Sequence, residues 1–213
     1  FFDLEKFPGK RGIHTWGNGI VEMALYASGV AIADIYDVLD TQEGQDMVFA
    51  KLDTIKDDVV FWSAGAKPLD LVNSGEVSMS LAYNGRIGGA VLADGADYVT
   101  VWDGQVLEEE WLVLMTGAPN RAAAIHFLIH ASATEQQAGQ ARWINYAPMR
   151  PSALPIMEAG EPWFNPGLAT EANIMEHMPT TDEHMKGGIL ADPDWWADNG
   201  QAVNDRYAAW MAK

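Results

Sequence analysis

Residues 74–120 read SGEVSMSLAYNGRIGGAVLADGADYVTVWDGQVLEEEWLVLMTGAPN. Val77, Met79, Leu81 and Tyr83 alternate with Ser78, Ser80 and Ala82, the period of a strand with one bulky face and one small one. Asn84-Gly85 breaks that strand and opens an apolar helical run, Ile87 to Leu92. A second strand is expected over Tyr98 to Trp102. A third is expected over Trp111 to Met115, which is continuously apolar, as a strand covered on both faces should be. Strand, helix, strand and strand in so few residues predict part of an open α/β sheet. In such sheets ligands sit beyond the carboxyl ends of the strands. Tyr83 lies at one such end, and Glu108-Glu109-Glu110 precedes the run at Trp111. An aromatic beside carboxylates suits a ligand that carries a positive charge.

Upstream, Lys10 to His14 has the length of a short strand. Asn18 is placed to cap a helix carrying Ile20, Val21, Ala24 and Leu25 on one face. Ile32 to Leu39 reads as a short helix, and Thr41 caps a longer one through Val48, Leu52 and Ile55. Val59 to Trp62 is a buried strand, and Lys67 to Ser74 a helix with Pro68 in its first turn. Downstream, Asn120 caps a helix through Phe127. Thr134 with Gln137 has the pattern of a capping box for a helix reaching about Asn145. Pro148, Pro151, Pro155, Pro162 and Pro166 then mark a connection between structural units. A helical tail with Trp195, Trp196, Tyr207 and Trp210 closes the chain.

The 213 residues carry 30 acids against 13 bases, a formal charge of −17. That sign argues against nucleic acid, whose phosphates need bases, and draws cations toward an acidic cleft. No run approaches the length of a membrane span. The absence of cysteine excludes disulfides, thiolate zinc sites and cysteine nucleophiles.

Nine tryptophans are many for this length. Large rings fill cores, but Trp16, Trp62, Tyr83, Trp102, Trp111, Tyr146 and Trp196 all lie near expected element ends. As a set they permit an aromatic box around an alkylammonium group, each face contributing about 0.5–2 kcal/mol. One of the three glutamates before Trp111 is placed to salt-bridge an amine. His126 and His130 share a helical face but have no third ligand, and Phe127 stands where zinc proteases place a glutamate. No nucleophile elbow, Walker loop or dinucleotide fingerprint is present. No cofactor, metal or catalytic constellation is implied.

Six strings in register make a more specific pattern: Phe7-Pro-Gly-Lys-Arg-Gly, Tyr36-Asp-Val-Leu-Asp, Lys51-Leu-Asp-Thr-Ile-Lys, Ser74-Gly-Glu-Val, Tyr83-Asn-Gly-Arg and Gly117-Ala-Pro-Asn. Over nearly the whole chain they resemble the spermidine/putrescine-type substrate-binding proteins of bacterial ABC importers. The resemblance implies a periplasmic-binding-protein-like fold of two α/β lobes closing over a solute. It also implies a membrane permease as partner, a monomer, and a periplasmic (or, in a Gram-positive, membrane-tethered) location. It assigns 1–110 to the second lobe and 111–155 to a return segment of the first. It makes 156–213 a tail packing back on the second lobe, with most of the first lobe lying upstream of this sequence.

Carried over residue by residue, the family's ligand contacts fall on Tyr83, on Glu110 with Glu109 as the neighbouring option, on Tyr146 and on Ser63. Trp16 takes the place of an acid at the start of the lobe's first helix, where Gly19 also stands. Arg86 takes the place of another acid three residues after Tyr83, and Trp111 follows the glutamates. Fewer acids and one extra base suit a long polyamine poorly. They suit a monoamine or a zwitterion whose carboxylate Arg86 receives in bidentate fashion. Two other readings are an α/β enzyme using the glutamates as acid and base, and a protein-interaction module. The latter predicts an exposed apolar patch around Trp195, Trp196 and Trp210.

Overall fold

The structure, a computed structural model, describes residues 1–159, the backbone of 163–165 and 168–170, and residues 173–213. Its strands and α-helices run β1 (Arg11–His14), α1 (Ile20–Tyr26), α2 (Ile35–Leu39), α3 (Gln42–Asp53), β2 (Val59–Trp62), α4 (Lys67–Asn73), β3 (Met79–Ser80), α5 (Asn84–Asp94), β4 (Val106–Leu107), α6 (Arg121–Ala131), α7 (Thr134–Gln140), α8 (Leu154–Glu158), β5 (Trp163–Asn165), β6 (Leu168–Thr170), β7 (Ile189–Leu190) and α9 (Pro193–Met211). They group into two compact units. One holds Phe1–Tyr83, Val101–Glu108 and Met185–Lys213; the other holds Asn84–Thr100 and Glu109–His184. This division differs from the boundaries expected from the resemblance. Asn84–Thr100 groups with the second unit, and of the tail only Met185–Lys213 groups with the first.

The first unit is built on a parallel sheet in the order β2-β1-β3. β1 is central and all four of its residues are buried, as a strand flanked on both edges and covered on both faces must be. Gly12 lets β3 approach, because a Cβ there would lie 2.2 Å from Ser80 Oγ. The strand expected over Val77–Tyr83 shortens to two residues. Its ladder continues only through Ser78 and Leu81, which donate to Lys10 O and Gly12 O. Arg11 is fully buried and donates to the carbonyls of Phe1, Asp3, Phe7 and Gly9. The Phe-Pro-Gly-Lys-Arg string therefore folds the first nine residues around a guanidinium.

α1 starts at Gly19 rather than Asn18. Gly19 has φ 85°, and its N–H donates to Glu22 at 2.8 Å, so the glutamate caps the helix from inside. α3 is capped as expected, with Thr41 accepting from Gly44 N. α9 buries Gly200, Val203, Tyr207 and Trp210 at helical spacing. It is pinned by Tyr207 OH to His14 O at 3.0 Å and by Trp210 Nε1 to Asp53 at 2.7 Å. Ile13, Ile20, Leu25, Ile35, Leu52 and their neighbours complete one core with these rings. Each such side chain contributes about 1.5–3 kcal/mol by burial. The tail tryptophans are thus packed, not exposed: Trp210 is buried, and Trp195 and Trp196 are partly buried against the core. That removes the patch on which the interaction-module reading rested. A second parallel pair, β4 with β7, has no counterpart in the sequence expectation.

In the second unit, α5 buries only small residues, Gly85, Gly88 and Ala90. A Cβ on Gly85 would sit 2.7 Å from Ile144 and Tyr146, and one on Gly88 2.2 Å from Asn145. The helix therefore lies directly on residues 144–146. Asn84 Nδ2 donates to Asn145 O at 2.6 Å, and Asn145 Nδ2 to His177 O at 2.8 Å. A small core of Ala138, Ala141, Ala153, Met157, Ile174 and Met178 packs nearby.

Four expectations fail here. Tyr98–Trp102 and Trp111–Met115 are not strands. Val99, Val101, Trp111, Leu112, Val113 and Met115 are exposed, because no strand among the described residues pairs with either run. The Thr134 hydroxyl bonds Ser152 Oγ instead of capping, and Gln137 bonds Ala131 O and Met149 N; α7 ends at Gln140. Pro148, Pro151 and Pro155 lie inside this unit rather than between units, and Pro151 and Pro155 start helical turns. Pro162 and Pro166 lie outside the described residues.

Candidate functional site

In the first unit, β1 and β2 end side by side at His14 and Trp62, which are register partners. Both side chains leave the carboxyl end of a parallel sheet, the edge where open α/β sheets place ligands. Just beyond β1 the chain carries Trp16, whose ring stacks on His14 with centroids 4.4 Å apart and planes 5° apart. Trp62 meets both edge-on, at 5.4 Å from His14 and 5.3 Å from Trp16. Tyr83 extends the cluster at 6.4 Å from Trp62 and is 40% exposed. Its ring lies over the turn after β2: a Cβ on Gly65 would come within 3.3 Å of it. Ser63, in that same turn, is exposed. Trp16 and Tyr83 are therefore brought into one aromatic group.

Trp62, named in the sequence only as one ring of the aromatic set, and His14, not singled out there, complete this group. Trp62 is buried, and its indole N–H has no partner among the described residues. His14 is nearly buried, and its Nδ1 lies 2.6 Å from the Trp16 carbonyl. Burial pushes its imidazole down to about 4, against the Trp16 carbonyl, which favours the proton. The ring is therefore neutral near pH 7, with its proton on Nδ1 to satisfy that carbonyl. The signal that would have found His14 is its place as the last residue of the strand that leads into Trp16.

In the second unit, Tyr146 sits half-buried against Gly85. Burial raises its phenol above the ordinary value; the nearby Glu110 charge raises it further and Arg86 opposes. Glu110 and Arg86 are both exposed. Tyr146, Glu110 and Arg86 thus form a second group, with one charge of each sign acting on one phenol. Trp111 is 60% exposed, beside Glu110 in the chain.

The buried Glu22 belongs to neither group. It accepts from Tyr36 OH at 2.9 Å, Trp196 Nε1 at 2.8 Å and Gly19 N, and desolvation raises its carboxyl above the ordinary value. With its acceptors filled by the core's own donors, it holds the fold together rather than facing a substrate. Among the described residues no group of three or more His, Asp or Glu is placed to hold a metal.

These features match known proteins in a consistent way. A family model described as bacterial extracellular solute-binding protein covers residues 1–170. A γ-aminobutyric acid-binding protein of Pseudomonas aeruginosa is 34% identical over 213 residues, which are all of this chain and 56% of that protein. A solved GABA receptor structure superposes with a TM-score of 0.80 at 31% identity, covering all of this chain and 60% of that one. A binding protein from A. tumefaciens B6 in complex with glucopine superposes at 0.79 with 28% identity, covering 99% of this chain and 62% of that one. The chain thus spans about 60% of the length of these proteins, and its fold is that of the periplasmic binding proteins. The narrower spermidine/putrescine grouping is not what these relatives support, since the ligands in their names are γ-aminobutyrate and glucopine. They are binding proteins of a family that works outside the cell membrane, and no helix among the described residues is long and apolar enough to cross one. The chain belongs to the bacterial extracellular solute-binding protein family.

Proposed function

We propose that this chain captures a small zwitterionic, amino-acid-like solute and delivers it to an ABC permease. The observation that carries the reading is that α5 packs directly on residues 144–146, so that exposed Arg86 lies near half-buried Tyr146 together with exposed Glu110, one charge of each sign. A guanidinium suits a carboxylate and a carboxylate suits an ammonium. A diamine would find one of the two charges repulsive. In the first unit, Trp16 and Tyr83 offer aromatic faces of the kind that suit an ammonium, with Ser63 beside them; in the second, Trp111 follows Glu110 in the chain. The γ-aminobutyrate and glucopine named for the relatives are compatible with that chemistry. The assignment of 111–155 as a return segment is part of the same reading. Its exposed apolar run has the composition of a strand that other strands cover.

Calorimetry and thermal shift on the intact protein test the proposal, with γ-aminobutyrate, common amino acids, putrescine and spermidine as probes. A solute at a hundredfold excess over its dissociation constant should stabilise the protein by about 2.7 kcal/mol. Arg86→Ala should abolish binding of γ-aminobutyrate and leave any diamine untouched, and Glu110→Gln should weaken every amine. Binding of putrescine or spermidine in preference to γ-aminobutyrate would overturn the zwitterion reading.

A further inference from the structure

The first unit's aromatic group contains one polar atom that its surroundings leave open. His14 Nδ1 is committed to the Trp16 carbonyl at 2.6 Å, which places the lone pair on Nε2. Nε2 has no hydrogen-bond partner among the described residues, and it is not among the side-chain atoms sealed from solvent. The residue facing it is Gly19, whose missing side chain would begin 3.7 Å away. The ring is clamped on its face by Trp16 and meets Trp62 edge-on, so Nε2 has little freedom to turn elsewhere. A fixed neutral acceptor among aromatic faces accepts an N–H and offers nothing to a carboxylate.

We propose that His14 Nε2 is a specificity-determining contact that accepts a hydrogen bond from the primary ammonium of the bound solute. This rests on the amine-binding reading above and deepens it. Cation–π attraction alone does not distinguish a primary from a quaternary ammonium, because both present a charge to the rings. An imidazole lone pair does distinguish them, because only the primary ammonium has an N–H to give. The burial that holds His14 near pKa 4 keeps this acceptor unprotonated across the physiological range.

The experiment compares γ-aminobutyrate with its N-trimethyl analogue by calorimetry, in the intact wild-type protein and in His14→Phe, which keeps a ring against Trp16. The wild type should prefer the primary amine by roughly tenfold or more, and His14→Phe should reduce that preference by about threefold or more, the remainder coming from Glu110. Independently of any variant, the ¹⁵N resonance of His14 Nε2 should move from a free lone-pair position toward a hydrogen-bonded one as γ-aminobutyrate is added. An unchanged preference in His14→Phe, or an unmoved Nε2 resonance in a saturated sample, overturns the inference while leaving the binding reading in place. If neither probe binds the wild type, both fall.

Discussion

Two apolar runs of similar composition meet opposite ends in this molecule. Val59-Val-Phe-Trp62 pairs residue for residue with Arg11–His14, and Trp62 ends 3% exposed. Trp111-Leu-Val-Leu-Met115 pairs with nothing among the described residues, and its Val113 is 69% exposed. α6, close after it, is mostly apolar yet has no buried residue. A β-run becomes a strand only when a non-local partner satisfies its backbone groups. Apolar composition states that burial would be favourable, not that a partner is within reach. The first unit is organised by such pairings; the second is held by helices packed through glycine and alanine.

The sharpest way to break this contrast is to disturb the first unit's interior where it is least tolerant. Glu22 receives three donors, from two helices and a loop, inside the apolar core. Glu22→Ala leaves the Tyr36 hydroxyl, the Trp196 indole and the Gly19 amide unpaired in a dry site. The expected cost is about 3–5 kcal/mol, read from the denaturation midpoint. A cost below about 1 kcal/mol would mean that water reaches the site and that the first unit is looser than its burial indicates.

A smaller effect comes from His14. Its folded-state value of about 4 lies below the ordinary 6.5, so between these two values the unfolded chain binds the extra proton. Stability from this residue is therefore complete above about pH 6.5 and falls as the pH drops toward 4, by up to about 3 kcal/mol. Chemical denaturation of wild type and His14→Phe at pH 7, 5.5 and 4.5 checks the sign. The variant should lack this component of the pH dependence, and a parallel loss in both proteins would assign it to other groups.

How much of this was legible beforehand follows the same division. β1, α3, β2 and α4 were readable because their signals are local: Thr41 as a cap, Pro68 in a first turn, four apolar residues between turns. The broad solute-binding family was readable because six short strings fall in order between Phe7 and Asn120, but its spermidine/putrescine branch was not the one the relatives support. β4 was not, since two residues of Val-Leu become a strand only by meeting Ile189-Leu190 some eighty positions on. Asn18 lost the cap to Gly19 because Glu22 reaches back from within the core, a tertiary preference that overrides local rank. His14 was passed over because its one local signal, the last place in the strand before Trp16, gains meaning only from contacts the sequence does not show, with Trp16's carbonyl and Trp62's edge.

The smallest expected effect tests the other half of the contrast. Val113→Asp places a charge in the middle of an apolar run, and in a covered strand that would cost several kcal/mol through desolvation. Here Val113 is largely open to water, so the aspartate keeps its hydration and no packing is lost. The change in stability of the 213-residue chain should stay within about 0.5 kcal/mol. Binding of a hydrophobic dye should fall, because the substitution interrupts exposed surface made by Leu112, Val113 and Met115. Val60→Asp, in the paired run, is the matched control and should be far more costly, since Val60 packs against the Trp62 cluster. Equal costs at the two positions would show that both runs are covered, and the difference drawn between the two units would disappear.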